Sequence, residues 1–212
     1  RDSPFKFLGN KRYTSYVWRF NAEGDYLDLI ENFLDVTHTH FIHKGLIRND
    51  SKAREVVDVT IEAQKDKVCV NYGSEQHKTG LIPKLFEKFR TYSKGVFEFP
   101  NTAIIEYGDR KGVSLQVIAS ITPISKNRHS VTVWFVLRRG IIPSIIKYLC
   151  ALPLFLIVLK QDMKIVKNQL DNKQFFQAPY MISTLDFVRP YLIKIINQDE
   201  IKVSKRVKKV YL

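Results

Sequence analysis

Cysteine is scarce in this chain. Cys69 and Cys150 are the whole supply in 212 residues, too few and too far apart for a disulfide framework or a cysteine metal cage. A reducing cytosol is the simplest setting. Acidic residues also run short, with 21 Asp and Glu against 34 Lys and Arg and a net charge of +13. Basic clusters such as Lys202 to Lys209 suit nucleic acid, anionic lipid or an acidic protein. No nucleic-acid motif accompanies the charge, so nucleic acid is not expected as a partner, and the plain reading of the tail is a solvated, frayed end. Internal repeats and low-complexity stretches are lacking; the sequence opens on Arg1 rather than Met, and no signal peptide is expected. The longest apolar run, Ile141 to Leu159, approaches the ~20 residues that span a bilayer. Lys147 lies inside it, Pro143 and Pro153 interrupt it, and Asp162 follows. A buried helix packed on a sheet is expected there, with attachment to a membrane surface left open.

Hydrophobic residues make up 45% and aromatics 12% of the chain, which suits one globular domain with its own core. Arg12 to Phe20 is aromatic and β-branched and reads as a strand. Gly24 and Asp25 mark a turn or helix start, with Asp25 or Asp28 favouring the helix N-terminus. That helix directs Leu27, Ile30, Leu34 and Phe41 toward a core. Val57, Val59 and Ile61 alternate within Val56 to Ala63. Val68 to Tyr72, Phe97 to Phe99, Thr102 to Tyr107, Val113 to Thr122 and Ser130 to Arg138 continue the strand series, separated by turn residues. Such a series predicts an antiparallel meander with one covered face. Gly80 to Gly95 fits either a short helix or a long loop. Near the end, Ser183 and Asp186 resemble an N-cap arrangement ahead of the helical positions Leu185, Val188, Leu192, Ile195 and Ile196, although Pro190 opposes an early start.

Three of the five histidines, His38, His40 and His43, fall within six residues. Imidazole is the commonest protein ligand for a transition metal, so this density points to a metal site. On a helix Asn32, Asp35 and His38 share one stripe. His43 lies five residues on, a turn of roughly 140° at ~100° per residue, too far for two ligands on a regular helix. Either the helix ends between the two histidines or it carries a π-type bulge, and Gly45 favours an ending close by. Two histidines leave a metal under-coordinated. A carboxylate from elsewhere would complete the three-ligand face that suits non-haem Fe(II). Asp162, in a helical stretch after the long apolar run, is the candidate. His77 and His129 stand in polar, turn-like surroundings and are expected to be exposed.

The pattern Asn32-x2-Asp35-x2-His38-x4-His43, followed much later by Asp162 and by Gln169 seven beyond it, resembles the catalytic domain of Rieske non-haem iron oxygenases, in particular the subgroup of vanillate demethylase and pheophorbide a oxygenase. The resemblance implies an α+β fold of helix-grip type (START/Bet v 1-like), an antiparallel sheet wrapped around a cavity with a long C-terminal helix. It implies that residues 1–212 are a single catalytic domain with Fe(II) held by His38, His43 and Asp162. Asn32 matches a position near the iron. Asp35 matches a bridge between the iron and the Rieske cluster of a neighbouring subunit. His40 falls outside the family spacing, and Lys167 stands where relatives often carry an acid.

The function implied by this resemblance is that of an oxygenase, activating O2 for hydroxylation or oxidative demethylation of an aromatic or apolar substrate. A Rieske 2Fe–2S centre needs two cysteines and two histidines, as C-x-H and C-x-x-H, and neither pattern occurs in these residues. The expectation is therefore that the Rieske domain is absent and that the chain is a fragment, a split subunit or a degenerate product. It would be inactive without a Rieske or ferredoxin-type donor. The resemblance also implies a homotrimer. A cytoplasmic setting, with contact to a membrane surface left open, is expected. The alternative from another class is an iron-free helix-grip protein that binds lipid or another small ligand.

Overall fold

In the computed structural model, which describes residues 3, 5–48, 56–73, 80–86, 90–177, 181–201 and 203–211, eight strands form one open antiparallel sheet. They are β1 (Tyr13–Glu23), β2 (Val56–Gln64), β3 (Lys67–Tyr72), β4 (Tyr92–Glu98), β5 (Thr102–Asp109), β6 (Gly112–Ser125), β7 (Arg128–Arg138) and β8 (Ser204–Tyr211). Their order is β1-β7-β6-β5-β4-β3-β2-β8. Strands β2 to β7 are the expected meander, while the first and last strands close its two ends. The fold is α+β, of helix-grip type. His77 lies outside the described residues.

Alternation sets the two faces. Val57, Val59, Ile61 and Ala63 of β2, Val68, Val70 and Tyr72 of β3 and Val131, Val133 and Phe135 of β7 are all buried on the inner face. The register places Val59 opposite Tyr72 and Ile61 opposite Val70, so cross-strand neighbours share the same burial. Three helices cover this face: α1 (Tyr26–Leu34) with Leu29, Ile30 and Leu34, α4 (Ser144–Phe176) with Val166, and α5 (Arg189–Ile196) with Leu192 and Ile195. The outer face carries Val96, Ile104, Ile118 and Val136, which Phe5, Phe7 and Leu8 pack against.

Several expectations change. The basic tail is not frayed: β8 pairs with β2 from Ser204 opposite Ala63 to Tyr211 opposite Val56, and Lys205 meets Glu62 at 3.1 Å. Ladder hydrogen bonds hold the tail while its charges stay in water. Gly95 belongs to β4 rather than to a loop. A Cβ there would lie 3.2 Å from the Leu34 side chain, so its absence makes room for the end of α1. A short helix, α3 (Leu81–Phe86), does form ahead of it.

The apolar run becomes helix but is not buried. Among the residues of α4 only Ser144 and Val166 are fully buried. Among the described residues no helix is long and apolar enough to cross a membrane. Ser183 and Asp186 do bond locally, with Ser183 N–H donating to Asp186 Oδ2 at 2.6 Å and Leu185 N–H to Ser183 Oγ at 3.1 Å. They shape a turn, and α5 starts only at Arg189 with Pro190 in its first turn, where a missing N–H costs nothing. Leu185 is accordingly exposed.

Candidate metal centre

Asp25 begins α1, its side chain accepting Leu27 N–H at 2.9 Å. The helix ends at Leu34, earlier than the sequence suggested. Asp35 is extended, with ψ 136°, and its carboxylate accepts Thr37 N–H at 2.8 Å and His38 N–H at 3.1 Å. A short acid that offers the backbone these bonds competes with helix continuation. Asn32, Asp35 and His38 therefore do not form one helical stripe. His38 and His43 instead flank a second short helix, α2 (Thr39–Ile42), as its N-terminal and C-terminal caps. Phe41 points to solvent and not to the core. Gly45 follows with a positive φ of 81°, as its position at the ending required. Tyr72 steadies the junction, its buried hydroxyl donating to Leu34 O at 2.5 Å.

α4 brings Asp162 to these histidines. Its Oδ1 is 3.0 Å from His43 Nε2 and 3.4 Å from His38 Nε2, and one ligand atom from each of the three residues lies within 4.8 Å of the others. The close seating of α4 depends on Gly24 at the β1–α1 turn, where a Cβ would lie 2.3 Å from Val166 Cγ1, one turn beyond Asp162.

The chemistry of this donor set fits a metal ion better than it fits a hydrogen-bonded cluster. His43 Nδ1 lies 2.9 Å from Gln161 Oε1. An amide oxygen only accepts, so Nδ1 carries the hydrogen and the neutral ring keeps its lone pair on Nε2. Asp162 Oδ1 is buried without a hydrogen-bond partner despite its short distance to His43, and His38 Nδ1 is likewise orphaned beside Asp35 Oδ2 at 3.4 Å. Close approach without hydrogen-bond geometry is what converging ligand atoms show. Two imidazoles and one carboxylate are the donor types that suit non-haem Fe(II).

Without an ion the cluster is strongly coupled. Burial disfavours the charged imidazole of His38, but Asp162 and Asp35 outweigh it and push the group up to about 9. Burial raises Asp162, and its contacts with His38 and His43 bring it below the usual carboxylate range. Asp35 behaves the same way, burial being outweighed by His38 and by the Thr37 bonds.

Beside the triad, a cavity of about 180 Å³ brings together Asn32, Asp35, His38 and Gln169 with the acids Asp28, Glu31 and Asp186. His40 stays out of the cluster, its ring against Phe41 at 5.3 Å. Lys167 pairs with Glu23 at 2.6 Å on the surface. His129 is buried at 1% exposure and stacks on Tyr26. The expectation that it is exposed fails because it faces inward on β7.

Two groups escaped the sequence reading. Gln161 could have been suspected only from its adjacency to Asp162. Arg189 is buried, with its Nη1 2.8 Å from Asp28 Oδ1 and 2.5 Å from Glu31 Oε2, and Lys173 reaches Asp28 Oδ2 at 2.7 Å. This network fastens α1 to α4 and α5 directly behind the site.

The fold is that of the catalytic-type domain of Rieske oxygenases. The chain belongs to the vanillate O-demethylase oxygenase C-terminal domain family, whose profile matches residues 22–187. Among solved structures, dicamba monooxygenase bound to dicamba superposes with a TM-score of 0.71 at 12% identity, over 92% of this chain and 61% of that one. NdmA of Pseudomonas putida CBB5 with caffeine gives 0.70 at 14% identity, over 92% and 54%. The quaternary ammonium Rieske monooxygenase CntA, in complex with an inhibitor, gives 0.61 at 8%, over 92% and 52%. At these identities the likeness is one of fold, and the chain spans only about half to three-fifths of each relative. A comparison with curated protein sequences returns no match.

Proposed function

We propose that these residues are the catalytic domain of a mononuclear iron oxygenase, with His38, His43 and Asp162 as the ligands of Fe(II). The observation that carries this reading is the orphaned Oδ1 of Asp162, held 3.0 Å from one imidazole and 3.4 Å from another. Bound there, ferrous iron would supply the one-electron chemistry that O2 activation needs. Gln161 fixes the His43 ring, and Asp35 fixes the backbone of His38. His43 is buried and His38 and Asp162 are largely shielded, at 16% and 14% exposure, which limits the access of bulk water to them. An apolar or aromatic substrate, hydroxylated or demethylated, is the class consistent with the family.

Electrons must come from outside these residues, because two cysteines without the C-x-H and C-x-x-H pattern do not assemble a Rieske cluster. Asp35, 3.4 Å from His38 Nδ1 and lining the polar cavity with it, is the residue we assign to the path from a Rieske or ferredoxin-type donor. A homotrimer in which one subunit's donor serves the next subunit's iron fits this arrangement. The iron-free ligand-binding alternative is not favoured, since it leaves the orphaned carboxylate oxygen without a role.

Anaerobic titration tests the assignment. The chain should bind one Fe(II), and His38→Ala or Asp162→Ala should abolish most of that binding with folding retained. Full iron occupancy in both variants would refute the triad. Robust turnover with O2 and a reductase but no Rieske partner would refute the assignment of the donor.

A further inference from the structure

The outer side of α4 takes no part in the metal centre. Its inner side is anchored by Tyr148, stacked on Tyr16 at 4.3 Å, and by Phe155, edge-on to Phe135 at 4.6 Å. The opposite side has no cover among the described residues. Ile142, just ahead of α4, and Ile146, Leu149 and Ile157 on it are 55%, 50%, 58% and 46% exposed, and Ile141 is fully exposed. Steps of three and four along α4 put Ile146, Leu149, Pro153 and Ile157 on one stripe. A contiguous apolar surface of this kind marks an interaction site.

Charge identifies the occupant. The segments that meet at this corner, residues 3–22 and 138–161, carry four Lys or Arg each and no Asp or Glu. They are tied together where Arg139 N–H donates to Arg12 O at 2.9 Å. Arg138 is neutralised by Asp109 from β5. Lys11, Arg12 and Arg139 are exposed, and Arg139, bonded to Arg12, stands two residues ahead of Ile141. A second copy of the chain would set cation against cation across this face, which is unfavourable. The stripe is purely aliphatic, without the Tyr or Trp anchors that dominate protein–protein hot spots.

We propose that this corner docks on an anionic lipid surface with α4 in the plane of the interface. Ile141, Ile142, Ile146, Leu149 and Ile157 enter the acyl boundary, and Lys11, Arg12 and Arg139 meet the headgroup phosphates. An apolar stripe with basic margins is the arrangement of an interfacial helix, and cations near an anionic leaflet add to the attachment. This inference is independent of iron binding.

Co-sedimentation of the full chain with vesicles provides the test. Binding is expected to phosphatidylcholine mixed with phosphatidylserine and to be weak with phosphatidylcholine alone. Ile146→Glu or Leu149→Glu should weaken it about tenfold or more, and Arg139→Gln about fivefold. Lys209→Gln, exposed on β8 at the opposite edge of the sheet, should leave it unchanged. A fluorophore on the native, exposed Cys150 should shift to the blue on adding mixed vesicles, a readout that needs no apolar-to-charged variant to fold. Absence of binding, no shift at Cys150, or an equal loss in Lys209→Gln would overturn the proposal. So would an oligomer that Ile146→Glu dissolves, which would assign the face to self-association.

Discussion

Gln161 accepts the Nδ1 hydrogen of His43 at 2.9 Å, so α4 supplies in consecutive positions the group that orients one imidazole and the carboxylate that faces it. Metal-binding histidines depend on such partners for ring orientation and basicity. Gln161→Leu should therefore lower Fe(II) affinity about 10- to 100-fold while the metal-free chain melts nearly as before. Anaerobic titration alongside thermal denaturation checks this. An unchanged affinity would mean that His43 is oriented by packing alone.

The metal-free cluster gives a pH signature. His38 is raised to about 9 from an unfolded value of about 6.5. Its charged pairing with Asp162 and Asp35 therefore stabilises the metal-free fold fully below the unfolded value, and the contribution is lost as pH rises through about 9. Iron needs the unprotonated Nε2, so binding below that point expels a proton. Apparent affinity should rise about tenfold per pH unit from neutrality and level off near the folded value. Metal titrations at a series of pH values measure the slope, and an affinity that stays flat between neutrality and about 9 would show that no proton leaves His38 on binding.

Arg189 is the positive charge between Asp28 and Glu31. Arg189→Met leaves Glu31 without its cation and buried Asp28 with Lys173 alone, and should cost about 3 kcal/mol of stability, visible as a lower midpoint in chemical denaturation. The loss should be largely recovered in Arg189→Met combined with Asp28→Asn and Glu31→Gln. Failure of that rescue would show that packing of the guanidinium, rather than its charge, holds α5 against α1.

The sequence made some of this legible and not the rest, for physical reasons. The meeting of His38, His43 and Asp162 could be anticipated because one local segment presents both histidines, and a metal reading of that pair asks for a carboxylate from elsewhere. The early end of α1 was hidden: Asp35 looks like an ordinary helical acid until its carboxylate is seen to take the N–H groups of Thr37 and His38. Alternation gave β2 and β7 their inner faces, yet His129 shared that alternation and its polarity masked it. β8 read as a charged tail because its pairing with β2 depends on backbone bonds. The exposure of α4 was likewise unreadable, since a helix apolar on both sides gives no periodic sign of which side the sheet covers.

The two halves of the candidate centre are 118 residues apart in sequence, from His43 to Gln161, and all the strands from β2 to β7 lie between them. An ion shared by those halves would act as a clasp across a loop of 118 residues, and a crosslink over so long a loop removes more chain entropy from the unfolded state than one over a short loop. Loading the site should then make the whole sheet open and close as one unit, so that amide exchange deep in β4 and β5, far from any ligand, reports whether the clasp is shut.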